Sequence, residues 1–324
     1  MRPIEMMANI YRHSTVTLVY DAGLQSYSYD DQIPMATFVL RFFTCKWMHR
    51  LWTLYECVLA QNIVVAFREA LVPIKDIFVR AMRNLMYPVA NHVWDDLIIL
   101  TTYGRSNNLA MGALQRLLLS RKCSNPDDEP FVTAPLLGIA PGAITASSHE
   151  ERMVKFWSCV GKVSSGTMFS TCNRLETMGF GWAPKSLAGN QQDVRMAPGK
   201  STAEVTPLGL RHEGLLFKFK SPVHFDGEIA LLCDSLDDHF FLMTRDSADH
   251  EKLKSLNQYD AIVALNNPRF SITTGVILQL TAEAPVPRYS YSLRVASMGF
   301  PEANERLRRH AIMCRSEEKE IVIA

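Results

Sequence analysis

Residues 45–67 read CKWMHRLWTLYECVLAQNIVVAF, the pattern of an amphipathic helix that runs straight into a short apolar strand. At 100° per residue, Met48, Leu51, Trp52, Tyr55, Leu59 and Ile63 share one face, while Lys46, Arg50, Thr53, Cys57 and Gln61 form a polar stripe. Glu56 stands off that stripe, within about 40° of Trp52, with His49 near the same angle two turns earlier. Its neighbours three and four positions away are Trp52, Thr53, Leu59 and Ala60, so no cation on the same helix can pair with it. Two readings are open. Glu56 meets a cation from another part of the fold or turns its tip to water, because burying an unpaired carboxylate is costly. Alternatively it points into a pocket, where it can serve as an acid, a base or an ion-stabilising group.

Upstream, Pro3 to Arg12 reads as a short helix and Thr15 to Tyr20 (TVTLVY) as a buried β-branched strand. Asp21 ends that strand. It is either a turn former before Ala22 and Gly23 or a ligand-facing group, since ligands of open α/β sheets bind beyond the carboxyl ends of strands. After a polar, tyrosine-rich loop (Gln25 to Gln32), Pro34 opens a helix over Met35 to Phe43. Downstream of the strand at Asn62 to Phe67, helical spacing extends from Pro73 to Tyr103, divided near Pro88, and again from Asn108 to Lys122. Asn125-Pro126-Asp127-Asp128-Glu129 has the order of a helix start: cap, proline, acidic first turn. Ser148-His149-Glu150-Glu151 is a capping box, and Arg152 on the helix it opens is a cation in search of an acid. Arg174 to Leu187 is turn-rich and aromatic, and reads either as a substrate platform or as a packed surface loop anchored by Trp182.

Several of these blocks, taken in order, resemble the fungal heterokaryon incompatibility (HET) domain. Arg50, Trp52, Thr53, Leu54 and Glu56 match its R-x-W-T-L-x-E signature. The helix and strand over Met7 to Leu24 resemble the segment on the amino-terminal side of that signature. RKCSNPDDEP (121–130), LLGI (136–139), EERM (150–153) and RLETMGFGWAPKSL (174–187) resemble blocks on its carboxyl-terminal side. The resemblance covers roughly the first 190 residues and implies an α/β unit, partial here because HET domains usually begin with further strands upstream. HET domains are in turn similar to Toll-receptor (TIR) domains, whose W-x-x-x-E carries a glutamate that helps cleave nicotinamide from NAD. Trp52 and Glu56 have that spacing. The resemblance therefore implies Glu56 as a catalytic carboxylate, with Trp52, Asp21 and Arg50 around the substrate and NAD as substrate rather than cofactor.

Beyond residue 187 the chain changes character. Ala188 to Thr206 is polar and reads as a linker, and its GKS lacks the glycine spacing of a phosphate loop. After it GLLFKF, EIALLC, FFLMT, AIVAL, GVILQL and YSYSLRV recur between turn residues as short strands, and the chain ends in a helix over Glu302 to Met313 and a last strand over Glu320 to Ile323. The expected architecture is thus a TIR-like parallel α/β unit with a helical extension (1–187), a linker (188–206) and a β-rich α+β second domain (207–324).

Composition narrows the function classes. A length of 324 residues predicts two domains. A net charge of +1 leaves no electrostatic footprint for nucleic acid or an anionic membrane, and no apolar run is long enough to span a bilayer. The seven cysteines are scattered and form no C-x-x-C pair, and the histidines have no metal-ligand spacing. That pattern predicts a reducing, cytoplasmic setting and no metal site. The resemblance implies a self/non-self signalling protein linked to regulated cell death, through NAD cleavage; the alternative is a catalytically inactive module that binds protein partners or itself.

Overall fold

The computed structural model describes residues 3–29, 34–84, 109–118, 120–146, 148–170, 172–188, 202–223, 229–233, 238–243, 259–265, 273–283, 286–299 and 312–324. The chain divides into two compact units, one formed by Met1–Cys159 with Ser186–Asn190 and the other by Val160–Lys185 with Gln191–Ala324. The division therefore falls near Val160, well before the expected boundary at 187.

The first unit is built on a small mixed sheet. Strand β1 (Thr17–Val19) pairs in parallel with β2 (Ile63–Ala66), and β2 pairs antiparallel with β3 (Leu71–Pro73). The parallel pair is the one expected from the sequence; β3 was not foreseen. Val19, Val65 and Val72 lie in register and form a buried row. On the opposite face the row is Leu18, Val64 and Pro73, where Leu18 is 51% exposed and Pro73 is also exposed. The alternation of a half-buried strand is thus kept, but its outward side is apolar.

Helix α1 (Pro3–His13) precedes β1, and α2 (Ala22–Gln25), α3 (Met35–Thr44), α4 (Lys46–His49) and α5 (Leu51–Leu59) connect β1 to β2. Helix α6 (Ile74–Asn84) comes after β3. The continuous helix expected over 45–59 is in fact two. Arg50 between them is extended (φ −83°, ψ 139°) and forms an isolated parallel bridge with Lys122. Lys122 N–H donates to His49 O (2.7 Å) and Leu51 N–H donates to Lys122 O (3.1 Å), so backbone groups released by the break are satisfied by another segment. The break also overturns the polar stripe: Thr53 and Cys57 are buried, while Lys46, Arg50 and Gln61 are exposed.

Helices further along the chain obey the expected cap chemistry. Asn125 Oδ1 accepts from Asp127 N–H and opens a 3-10 turn at Pro126–Asp128, continued by a helix at Glu129–Leu136. In the capping box, Glu151 N–H donates to Ser148 Oγ (3.2 Å) and Ser148 N–H donates to Glu151 Oε2 (3.4 Å). The acid that meets Arg152 is Asp127, at 3.1 Å. The helix expected from Asn108 spans Met111–Leu118, and the one from Pro73 is described to Asn84. Its continuation to Tyr103 lies outside the described residues, as do residues 189–201 and the expected helix up to residue 311.

In the second unit nine strands are hydrogen-bonded into one sheet. All six of the expected strands are among them. Five, β6 (Gly209–Val223), β9 (Tyr259–Ala264), β10 (Thr273–Ala282), β11 (Arg288–Gly299) and β12 (Ile312–Ile323), close a barrel-like ring. Its one parallel closure joins the start of β11 to the end of β12, at Arg288↔Val322 and Tyr289↔Ile323. The hairpin of β7 (Ile229–Cys233) and β8 (Asp238–Met243) pairs with the free parts of the same two strands, β8 with residues 297–299 of β11 and β7 with residues 312–314 of β12. Ring closure removes open edges that a flat sheet would expose. Strand β12 begins at Ile312, so the last strand is far longer than Glu320 to Ile323, and Met313 belongs to it rather than to a helix.

Strands β4 (Lys162–Ser164) and β5 (Thr202–Thr206) extend the sheet beyond β6. β5 occupies the end of the expected linker. The loop 165–185 belongs to this unit because it packs on the barrel. Gly181 lies against Ala324 O and Tyr291, and Gly179, with φ at 85°, lies against Pro207 O. A side chain at either position would meet backbone.

Candidate functional site

Glu56 lies on α5, half-buried, with both carboxylate oxygens engaged. Tyr11 from α1 donates its hydroxyl to Oε1 (3.1 Å), and Trp47 from α4 donates its indole N–H to Oε2 (3.0 Å). Both donors are neutral. A cation paired with Glu56 is not found among the described residues. Burial, reinforced by the negative charge of Glu56, pushes the Tyr11 phenol up to about 12, so Tyr11 remains a donor throughout the physiological range. Each oxygen of Glu56 accepts one described hydrogen bond and retains capacity for another.

Asp21 is 7% exposed and caps two helices at once. Its Oδ1 accepts from Gly23 N–H (2.9 Å) and Leu24 N–H (3.2 Å) at the start of α2, and its Oδ2 accepts from Trp47 N–H (2.9 Å) at the start of α4. Asp21 is thus a turn former, with one addition. Trp47 donates its backbone N–H to Asp21 and its indole N–H to Glu56, so a single residue links the two acids.

Trp52 and Arg50, placed around the substrate by the resemblance, have partners of their own in the fold. Trp52 is half-buried and donates its indole N–H to Asp128 Oδ2 (3.0 Å). The Arg50 side chain is exposed, and its carbonyl accepts from Arg121 Nη1 (2.8 Å). Thr53 Oγ1 accepts from the same Arg121 nitrogen (2.9 Å) and lies within donor distance of Arg50 O (2.7 Å) and of Trp47 O. The R-x-W-T-L-x-E stretch is therefore a folding device at most of its positions: Thr53 and Arg50 define the break, Leu54 is fully buried, and Trp52 ties α5 to the turn at Asp128.

The thiols beside the site are held in the protonated form. Burial raises Cys57 to about 12 and Cys45 to about 11, well above the range in which a thiolate forms. Elsewhere in this unit Glu129 is buried, accepts from Ser186 Oγ (2.6 Å) and from Leu187 N–H, and has its carboxyl raised by that burial. Among the described residues no group of three His, Cys, Asp or Glu side chains is placed to hold a metal ion. No described helix is long and apolar enough to cross a membrane.

Sequence reasoning missed Tyr11, Trp47 and Arg121. Trp47 was within reach: a buried indole needs an acceptor, an unpartnered carboxylate needs donors, and the two lie in the same 23-residue stretch. Arg121 gave no such signal, because these partners are 68 and 71 positions away. No family model, no curated protein and no solved structure matches the chain.

Proposed function

We propose that the chain is a signalling protein of the heterokaryon incompatibility type, with a TIR-like β1–β2 unit in which Glu56 is the working carboxylate, and that its chemistry is cleavage of the nicotinamide–ribose bond of NAD. The observation that carries this reading is the way Glu56 is held. Two neutral donors orient the carboxylate without neutralising it, and it is half-buried rather than sealed. Such a group stabilises positive charge that develops on the ribose as the nicotinamide leaves, as carboxylates do in glycoside cleavage, and water completes the hydrolysis by bonding to that ribose carbon and losing a proton. A cation paired with Glu56 would have offset the carboxylate's own negative charge beforehand. Free thiols at Cys45, Cys57, Cys123, Cys159, Cys172 and Cys314 support a reducing, cytoplasmic setting.

A second reading is favoured by one observation of its own. The outward apolar row Leu18–Val64–Pro73, flanked along the chain by exposed Val16 and Tyr20, is the kind of surface that binds a protein partner or a second copy. On this reading the chain is an inactive interaction module. The two are separated by NAD turnover of the purified chain at high protein concentration, beside Glu56→Gln. Loss of NAD with the wild type alone supports Glu56 catalysis. No turnover by a folded wild-type protein ends the enzymatic reading and leaves the interaction module.

A further inference from the structure

Trp47 and Glu56 are nine residues apart. On one straight helix that separation is about 900°, half a turn away from eclipsed, and about 13.5 Å along the axis. The two side chains would then lie on opposite faces and could not touch. They are 3.0 Å apart because the chain is extended at Arg50, where α4 ends and α5 begins. The sequence through this stretch contains neither Pro nor Gly, the usual local causes of a helix break. The cause is tertiary. Arg121, 1% exposed, donates to Arg50 O and Thr53 Oγ1, and the Lys122 backbone pairs on both sides of Arg50.

We propose that Arg121 and Trp47 are positioning residues for Glu56: Arg121 holds the break open, and the break sets the Trp47 indole on the Glu56 carboxylate. This rests on the reading of Glu56 as the working group. With the break in place one Glu56 oxygen is committed to the indole and the carboxylate is fixed in direction. If the break is released, the 45–59 stretch has the periodicity to run as one helix, Trp47 swings to the far face and Glu56 loses an orienting donor. Asp21 opposes that change, since it fixes the Trp47 backbone at the start of α4.

The test is the indole N–H of Trp47 in the full ¹⁵N-labelled chain. Five tryptophans give five indole signals, and Trp47→Phe assigns the one in question. Glu56→Gln is expected to shift the Trp47 signal, and Arg121→Met to shift it and speed its solvent exchange about tenfold or more. The Trp52 indole, bound to Asp128, is the internal control for folding and is expected to keep its position. An Arg121→Met protein whose Trp47 signal matches wild type overturns the role of Arg121. A Glu56→Gln protein whose Trp47 signal matches wild type overturns the pair itself. Should Arg121→Met lose the Trp52 signal as well, Thr53→Val, which removes the hydroxyl between Trp47 O, Arg50 O and Arg121, decides by the same readout. A Trp47 signal that responds as expected in a chain without NAD turnover refutes catalysis by Glu56 and keeps the positioning device. Glu56-dependent turnover with an unresponsive Trp47 signal refutes the device and keeps the catalytic reading. With both present, Trp47→Phe lowers kcat about tenfold or more and leaves KM unchanged.

Discussion

Each unit contains an arginine that donates to the chain where it leaves regular structure, Arg174 to backbone carbonyls and Arg121 to one carbonyl and one hydroxyl, and the two differ in reach. Arg174 donates through Nη1 to Thr167 O (3.2 Å) and Trp182 O, and through Nη2 to Met168 O (2.9 Å) and Ser170 O (2.6 Å), while its guanidinium lies 4.7 Å from the centre of the Tyr291 ring. Its carbonyl partners are four to eight residues away. Arg121 reaches Arg50 and Thr53, 71 and 68 residues away. The planar fork of a guanidinium suits both tasks, because it offers several donors in a fixed geometry. The outcomes are unlike. Arg174 staples a loop to itself and sets the loop on the barrel, whereas Arg121 joins a distant segment to the break between α4 and α5, the contact on which the proposed positioning of Glu56 rests.

The largest loss is expected at Arg174. Arg174→Ala leaves four carbonyls without their shared donor beneath a loop that buries Trp182 and Phe169, and removes the cation from Tyr291. A cost of about 4 kcal/mol is expected from the removal of a half-buried, multiply bonded charge, read as a fall in the urea midpoint. A cost below about 1 kcal/mol would mean that the loop is held by apolar packing alone.

A third basic side chain in the fold sharpens the contrast, because it lacks comparable hydrogen bonding. His212 on β6 is 4% exposed, its Nδ1 has no hydrogen-bond partner among the described residues, and its ring fills the space beside Gly214. Burial lowers its pKa from the ordinary 6.5 to about 4. The folded state binds the proton more weakly than the unfolded state does, so stability is full above the unfolded value and is lost as pH falls from about 6.5 toward 4. The full loss is roughly 3 kcal/mol. His212→Met is expected to flatten that part of the stability–pH curve, and an unchanged acid limb would show that the imidazole is protonated in the fold.

The readability of the sequence obeys the same division between local and distant causes. The parallel pair β1–β2, the caps at Asn125 and Ser148, the loop anchored by Trp182 and the six strands β6 to β11 were legible because each is signalled within a few residues: alternation, a capping spacing, a cluster of turn formers. Ring closure was not, since nothing within β11 or β12 announces that Arg288 will lie beside Val322. The loop 165–185 was assigned to the wrong unit because its packing surface, Tyr291 and Ala324, is far downstream in the chain. At the candidate site Glu56 stood out as a carboxylate without a local partner, and Asp21 as a turn former. The groups that hold them were hidden by the break. A wheel drawn through Arg50 puts Thr53 and Cys57 on a polar face and Trp47 half a turn from Glu56, and both placements fail at the one residue whose backbone is set by Lys122 and Arg121.

A milder substitution separates the two arginines. Arg121→Lys keeps a buried positive charge but replaces the fork by a single ammonium, which can reach Arg50 O or Thr53 Oγ1 but does not reproduce the guanidinium geometry. The expected cost is about 2 kcal/mol, the scale of one charged hydrogen bond. Because the ammonium still reaches the break and the Lys122 backbone still pairs with His49 and Leu51, the break should survive, with helix content by circular dichroism unchanged. An increase in helix content would mean that a positive charge at this position is not enough and that the complete guanidinium fork is what keeps α4 and α5 apart. The helical periodicity of residues 45–59 would then be the default conformation of this stretch, and the extended Arg50 a state imposed by one side chain.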